Sequence, residues 1–404
     1  MKIEKIYNKK IILILTIIFL SSCFYSMFSL KNGIRDEKEL INGEIEIPCL
    51  SPDDLRLGNT YKNQSMFDVY DIYDLNGAIN GIALADYNND GLIDYAIDND
   101  SENTKILIFY DGDGTYDISD FNINNSKYYN IKNLLANDFN NDNMVDIVFT
   151  YSEYEWFNSS LYNVYGVTSI LFGKGNNEFG NEVIISLRGT GIPKDPEGRI
   201  NPRVASSDFD LDGDIDLIIG DNSGKVELLL NNGNGIFETS GYIEDFGRLS
   251  WGLTTGDFNL DGYNDFIISS LIDDDDVTKG HIYIKYNTIL ESENSTCFDL
   301  DEKMIIADLY FVPAVASLSS FDYDNDGDTD LIVGTSMIIY ILINENGAFL
   351  PIVIGHSDEG EEGFEAMHNA GLAVSDFNND GYDDFIMGAG RGTIRLFINK
   401  VGSS

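Results

Sequence analysis

Six nine-residue segments of this chain place a carboxylate or an amide at alternate positions. They run Asp86–Asp94, Asp138–Asp146, Asp208–Asp216, Asp257–Asp265, Asp322–Asp330 and Asp376–Asp384. Positions one, three and five are Asp86, Asn88 and Asp90; Asp138, Asn140 and Asp142; Asp208, Asp210 and Asp212; Asp257, Asn259 and Asp261; Asp322, Asp324 and Asp326; and Asp376, Asn378 and Asp380. Position nine is Asp every time: Asp94, Asp146, Asp216, Asp265, Asp330 and Asp384. Oxygen donors gathered on a short loop are the ligand chemistry of a hard divalent cation, and calcium takes six to eight of them at forgiving geometry. The expected set per loop is the side chains of positions one, three and five, the backbone carbonyl of position seven, and a closing, bidentate-capable carboxylate at position nine. Position seven would use only its carbonyl, so its side chain is free to vary. It does: Leu92, Met144, Asp214, Tyr263, Asp328 and Tyr382. Position six is Gly in five copies and Asn143 in the other, as a sharp turn with φ > 0 requires. With Asn there, the second loop is expected to be the weakest.

One acidic loop alone reads as an ordinary solvated turn. Six in register, varying where side chains are not used, do not. The loops hold 20 carboxylates at positions one, three, five and nine, in groups of three or four that would repel one another without cations. The whole chain has 68 Asp and Glu against 25 Lys and Arg, a formal net charge of −43. Six Ca²⁺ would bring that to −31. The loop is not an EF-hand, whose closing acid stands at position twelve between helices. Such a negative chain is a poor partner for nucleic acid, which is bound by Lys and Arg displacing counterions.

Candidates for catalysis are few. The chain has three histidines, His281, His356 and His368, and none of the nucleophile, zinc-hydrolase, redox-dithiol or phosphate-loop motifs. The acidic stretch from Asp358 to Glu365 and the run Asp273–Asp276 read as solvated loops. Glycoside cleavage needs only two suitably spaced carboxylates, so a polysaccharide-degrading activity stays open as the second function class. The candidate ligand-contact residues are the aromatics of one insertion, Tyr151, Tyr154, Trp156, Phe157, Tyr162 and Tyr165. Exposed aromatics make interface hot spots and sugar-stacking platforms. The alternative is that they cover the edge of a sheet. Trp251 falls on an expected inner strand, as core or channel lining.

The loops recur with first aspartates 52, 70, 49, 65 and 54 residues apart, the size of a four-stranded propeller blade with insertions in the second and fourth gaps. Small residues lead into each loop, as in Gly81–Ala85 and Arg203–Ser207, which suits a strand crowded near an axis. Apolar β-branched and aromatic runs follow it, as in Asp216–Gly220, Asp330–Gly334, Lys225–Leu230 and Thr393–Ile398. Asn232–Gly235 and Asn346–Gly347 supply hairpin turns. The expected fold is an all-β propeller of six blades, or seven if one blade has lost all resemblance. The last copy has three strands, and the orphan run Met66–Tyr73 is expected to be its outer strand. That closure leaves no free sheet edge.

The N-terminus carries Lys2, Lys5, Lys9 and Lys10 before an apolar run from Ile11 to Leu20, the plan of an export signal. That run is too short to span a bilayer as an uncleaved anchor. Leu20-Ser-Ser-Cys23 resembles the lipobox of bacterial lipoproteins, which implies removal of residues 1–22, lipidation of Cys23 and a linker over 23–65. Cys49 and Cys297 either form a disulfide or are unrelated thiols.

With these loops, residues 66–404 resemble the FG-GAP or VCBS repeat propellers of integrin α-subunit heads and many exported bacterial proteins. The resemblance implies calcium at the Asp and Asn positions given above, and Gly388-Ala-Gly390 is similar to the "GAP" step. Such a fold hosts adhesion proteins, lectins and polysaccharide-cleaving enzymes. The expectation is an exported, lipid-anchored, calcium-binding module for a protein or glycan at the cell envelope or surface.

Overall fold

The computed structural model describes residues 66–74, 79–99, 105–110, 117–122, 128–157, 160–175, 178–189, 202–221, 224–245, 250–274, 277–290, 295–298, 303–306, 315–335, 338–345, 347–356, 371–388 and 392–401. Cys23, Cys49, His368 and the stretch from Asp358 to Glu365 lie outside these. Among the described residues there is no helix.

Strand β1 (Phe67–Asp74) comes first. One sheet is β2 (Ile82–Ala85), β3 (Asp94–Asn99), β4 (Lys105–Tyr110) and β5 (Asp117–Asn122). The next is β6 (Tyr128–Asn137), β7 (Asp146–Phe157), β8 (Ser160–Leu171) and β9 (Val183–Gly189). The third is β10 (Arg203–Ser207), β11 (Asp216–Gly220), β12 (Lys225–Asn231) and β13 (Phe237–Asp245). The fourth takes β14 (Ser250–Gly256), β15 (Asp265–Asp274) and β16 (Val277–Lys285). A separate hairpin, β17 (Asn287–Leu290) with β18 (Ser295–Phe298), intervenes before its outer strand β19 (Lys303–Ile306). That hairpin is the insertion expected in the fourth gap. The fifth sheet is β20 (Val315–Phe321), β21 (Asp330–Thr335), β22 (Ile338–Glu345) and β23 (Ala348–His356). The sixth joins β24 (Leu372–Ser375), β25 (Asp384–Gly388) and β26 (Thr393–Asn399) to β1, antiparallel from Phe67↔Asn399 to Asp74↔Thr393. The N-terminal strand therefore completes the C-terminal sheet, as the orphan run implied.

Every sheet packs on both neighbours. Six apolar clusters each lie between two successive sheets, the last joining Ile79, Ile82, Tyr95 and Ile97 of the first to Ile386 and Ile394 of the sixth. An open row of six sheets would have five such interfaces, so the ring is closed. Packing on both faces explains why the second strands are unbroken apolar runs rather than alternating ones. All of Asp216–Gly220, Asp330–Thr335 and Asp384–Gly388 is buried.

The innermost strands β2, β6, β10, β14, β20 and β24 lie side by side round the axis. Crowding there excludes side chains at some positions. A Cβ on Gly81 would stand 2.8 Å from the backbone nitrogen of Leu134, and one on Gly371 would stand 2.9 Å from the carbonyl carbon of Gly81.

Candidate metal centre

Each nine-residue segment is the turn between the first and second strands of its sheet, so six equivalent loops stand round the ring. Their backbone geometry is shared. Position four lies in the left-handed region in all six: Asn89, Asn141, Leu211, Leu260, Asn325 and Asn379 have φ between 57° and 60°. Position six does too, with glycines at 87–95° and Asn143 at 63°. The turn at position six was legible in the sequence. The one at position four was masked by Leu211 and Leu260, residues that seldom adopt φ > 0.

The side chains of the loop first serve its own backbone. In the first copy the position-one carboxylate, Asp86, accepts N–H bonds from Asp90 at 3.0 Å and Gly91 at 2.8 Å. Asp90 accepts one from Leu92 at 2.8 Å. The same three bonds recur in the other five loops, at 2.7–3.2 Å. Aspartate at positions one and five is thus set with its oxygens toward the loop interior before any ligand is considered.

Position three divides the loops into two kinds. Where it is Asn, its amide donates to the position-five carboxylate: Asn88 to Asp90, Asn140 to Asp142, Asn259 to Asp261 and Asn378 to Asp380, at 2.9–3.1 Å. In the third and fifth loops it is Asp210 or Asp324, which has no such proton to offer. Carboxylate oxygens of Asp208, Asp210 and Asp216 then come within 4.8 Å of one another, as do those of Asp322, Asp324 and Asp330. The acid–acid proximity leaves marks. Asp210 and Asp324 are held above the usual carboxylate range, first by burial and then by the neighbouring carboxylates. One oxygen of Asp324 is buried without a hydrogen-bond partner. An orphaned oxygen facing like charges fits a hard cation supplying the missing positive charge. These two loops fit best. The other four offer the same framework with one carboxylate fewer.

The position-nine carboxylate has a role the spacing did not suggest. It is fully buried in all six loops. One oxygen accepts the N–H of position two: Tyr87, Phe139, Phe209, Phe258, Tyr323 and Phe377 donate at 2.8–3.1 Å. In five of the loops the other oxygen accepts an N–H from a residue at or just past the end of the third strand. Gly173, Asn231, Asn287, Asn344 and Asn399 donate to Asp146, Asp216, Asp265, Asp330 and Asp384 at 2.7–2.8 Å. Position nine therefore ties the loop to the far end of its own sheet. A carboxylate oxygen has a second lone pair, so this anchoring coexists with a bond to a cation. Burial pushes Asp216, Asp265 and Asp330 up to about 7, and Asp146 and Asp384 to about 6, against the backbone donors that lower them.

The asparagines at the ends of the third strands were overlooked in the sequence. Beyond its N–H, each extends its amide to the preceding sheet. Asn231 Nδ2 donates to the carbonyl of Phe139, Asn287 to Phe209, Asn344 to Phe258 and Asn399 to Tyr323, at 2.8–2.9 Å. These acceptors are position-two residues of the preceding loop. Four copies of one strap thus bind loop to loop across the gaps. The signal was a buried Asn closing an apolar strand, as in Ile343-Asn344 and Ile398-Asn399. Gly173 stands at this place in the second sheet and has no amide to extend.

The aromatic insertion is not a loop. Tyr151, Tyr154, Trp156, Phe157, Tyr162 and Tyr165 lie on β7 and β8, two twelve-residue strands of one hairpin. Tyr151 must be taken out of the contact set. It is 1% exposed, stacks on Phe149 and donates its phenol to Glu182 at 2.8 Å. Tyr165 is half-buried against the same core. The side chains of Tyr154, Trp156, Phe157 and Tyr162 are not among those described. Their backbone, however, lies where β7 and β8 pair only with each other. Pairing to β6 ends at Glu153 and pairing to β9 at Tyr165. Of the run Asp273–Asp276, Asp273 and Asp274 pair with Thr278 and Val277 at the end of a hairpin, and Asp275 and Asp276 lie outside the described residues. His281 lies on β16 beside Tyr283. Trp251 is on inner strand β14 as expected.

A family model for the FG-GAP-like repeat matches residues 208–268 and 322–387. Each matched stretch opens on the first aspartate of an all-carboxylate loop and runs through the next loop into its second strand. Among curated proteins, none matches this chain. The chain carries FG-GAP-like repeats, and its sheets are arranged as a β-propeller.

Proposed function

We propose that this protein is a calcium-loaded binding module, exported and held at the cell envelope by lipid on Cys23, that captures a protein or glycan. The observation behind it is the set of six loops with one geometry, two of which bring three carboxylates together, one of these with an unpartnered oxygen on Asp324. Calcium supplies positive charge and coordination there. The chain's own residues do the rest: positions one and five preset the loop, and position nine locks it to the sheet. Six sites spread round a ring cannot face one substrate, so their work is structural. The ligand-contact surface is assigned to the β7–β8 ribbon carrying Tyr154, Trp156, Phe157 and Tyr162, which runs past the strands that flank it.

The test is binding of the chain lacking residues 1–22 to a panel of glycans and matrix proteins, with calcium and with chelator. The expected result is a ligand whose binding disappears in chelator and falls at least tenfold in Trp156→Ala, with the melting temperature of that variant unchanged. Polymer turnover in place of retention would replace the reading with a polysaccharide-degrading enzyme. Membrane partitioning of the full chain, abolished in Cys23→Ala, tests the anchor.

A further inference from the structure

The six acidic loops share one face of the ring, and that face carries more than acid. Of the eleven large apolar residues exposed among those described, six lie there. Leu211, Ile236 and Leu260 stand by the third and fourth loops, and Leu92, Ile93 and Val401 by the first and sixth. Ile236 is placed on this face by its turn, where the Gly233 carbonyl accepts from Asn141 of the second loop at 3.4 Å. The sixth and first sheets are neighbours in the closed ring, so the two apolar groups lie on opposite sides of it.

Two of these side chains are out of place on local grounds. Leu211 and Leu260 hold position four at φ 60° and 59°, a region leucine seldom adopts, where the other four loops have Asn. They are 50% and 54% exposed and belong to none of the apolar clusters, so burial does not offset the strain. Strained and exposed apolar side chains point to a contact outside the fold.

The chain enters the fold on this face too. The Lys400 N–H donates to the carbonyl of Met66 at 2.9 Å, Phe67 pairs with Asn399, and the Asn399 N–H reaches Asp384 at 2.7 Å. The segment leading back to Cys23 therefore joins the ring beside the sixth loop. Strand β7 starts at Asp146 in the second loop and carries the aromatic ribbon away from the face.

We propose that the loop face docks on a phospholipid bilayer, with the exposed leucines entering between headgroups and loop-bound calcium taking phosphate oxygens. The proposal rests on the calcium and lipid-anchor reading above. Loops spread round a ring cannot meet one small substrate, but they can all meet a plane, and apolar groups on opposite sides hold the ring level on it. Each loop offers five liganding groups where calcium takes six to eight oxygens, which leaves room for phosphate. The 20 loop carboxylates outnumber the 12 positive charges of six ions, so the face stays negative and zwitterionic headgroups suit it better than anionic ones. Docked in this way, the ring turns the β7–β8 ribbon outward.

The test uses the full chain on phosphatidylcholine vesicles, with and without brominated acyl chains. In Leu260→Trp, brominated lipid should quench the new emission in calcium and release it in chelator, measured above the wild-type signal of Trp156 and Trp251. Leu211→Asn combined with Leu260→Asn should weaken the calcium-dependent part of vesicle binding roughly tenfold. The melting temperature of that double variant should stay level or rise, because Asn already holds the same turn in four loops. Phosphatidylglycerol in place of phosphatidylcholine should not tighten binding. An unquenched new tryptophan in calcium, full calcium-dependent binding by the double variant, or binding that requires phosphatidylglycerol would each overturn the docking. So would calcium-dependent dimers that form without vesicles and are lost in the double variant, which would give the face to a second copy of the chain. In any of these cases a melting temperature that still rises with calcium keeps the metal reading, and one that calcium leaves unmoved sinks that reading as well.

Discussion

At the scale of single residues, the position-nine aspartates matter in a way independent of any cation. Asp330 accepts N–H bonds from Tyr323 and Asn344, and both donors are buried. Asp330→Ala strands two backbone donors, at about 1–3 kcal/mol each. The loss should persist in saturating calcium, and denaturant unfolding with and without chelator reads it. An effect confined to chelator would make the residue a ligand only. Asn344→Ala leaves the Phe258 and Thr329 carbonyls without the amide they share, an expected cost of about 1–3 kcal/mol by the same measurement. The pH response follows from the buried carboxylates. Asp216, Asp265 and Asp330 sit near 7 in the fold because burial disfavours their charge, against 3.8 ordinarily. Between those values the folded state holds protons that the unfolded chain has released. Stability of the chelated protein should therefore fall as pH rises from about 4 to 7 and level off beyond. Saturating calcium should flatten that slope, and melting temperatures across the range test both.

At the scale of elements, the closing strand decides whether the ring has an edge. Phe67 lies edge-on to Phe385 at 5.2 Å and to Phe397 at 6.4 Å, and is tilted on Tyr323 at 5.9 Å. It is a keystone between the fifth and sixth sheets. Phe67→Ala should cost about 3–5 kcal/mol. Removing residues 1–74 should expose β26 as an open edge and produce oligomers, visible by light scattering after gel filtration. A second element-level device is the ion pair that Arg188, on β9, makes with Glu227 at 2.6 Å and Asp221 at 3.3 Å in the next sheet. It joins the second and third sheets, which the Asn231 amide also ties through the carbonyl of Phe139.

Across the whole molecule, six similar loops are not six equal sites. The third and fifth have a carboxylate at position three, and its oxygens converge with those of positions one and nine. Calorimetric titration with calcium should resolve two tighter sites and a weaker group. Asp210→Asn with Asp324→Asn should merge the tight class into the weak one. An unchanged pair of tight sites in that double variant would move them to other loops. Asn143, expected to weaken the second loop, adopts the same left-handed turn as the glycines, so the backbone sets that loop no lower than the other three with Asn at position three.

Local chemistry was enough to read the repeat, the strands, the turns at position six and the closing strand. Each depends on residues a few places apart, or on one periodic pattern, and periodicity survives without knowledge of neighbours. What the residues of different sheets do to one another could not be read that way. The strap from Asn344 to Phe258 spans 86 positions. The loss of Tyr151 to the core depends on how β7 meets the sheet before it. Aspartate at position nine could be read as a closing ligand from its spacing, but its burial and double anchoring needed the third strand folded back beside it. Such contacts arise only when the ring closes, because burial and hydrogen bonding between sheets are set by tertiary packing and not by any local preference of the chain.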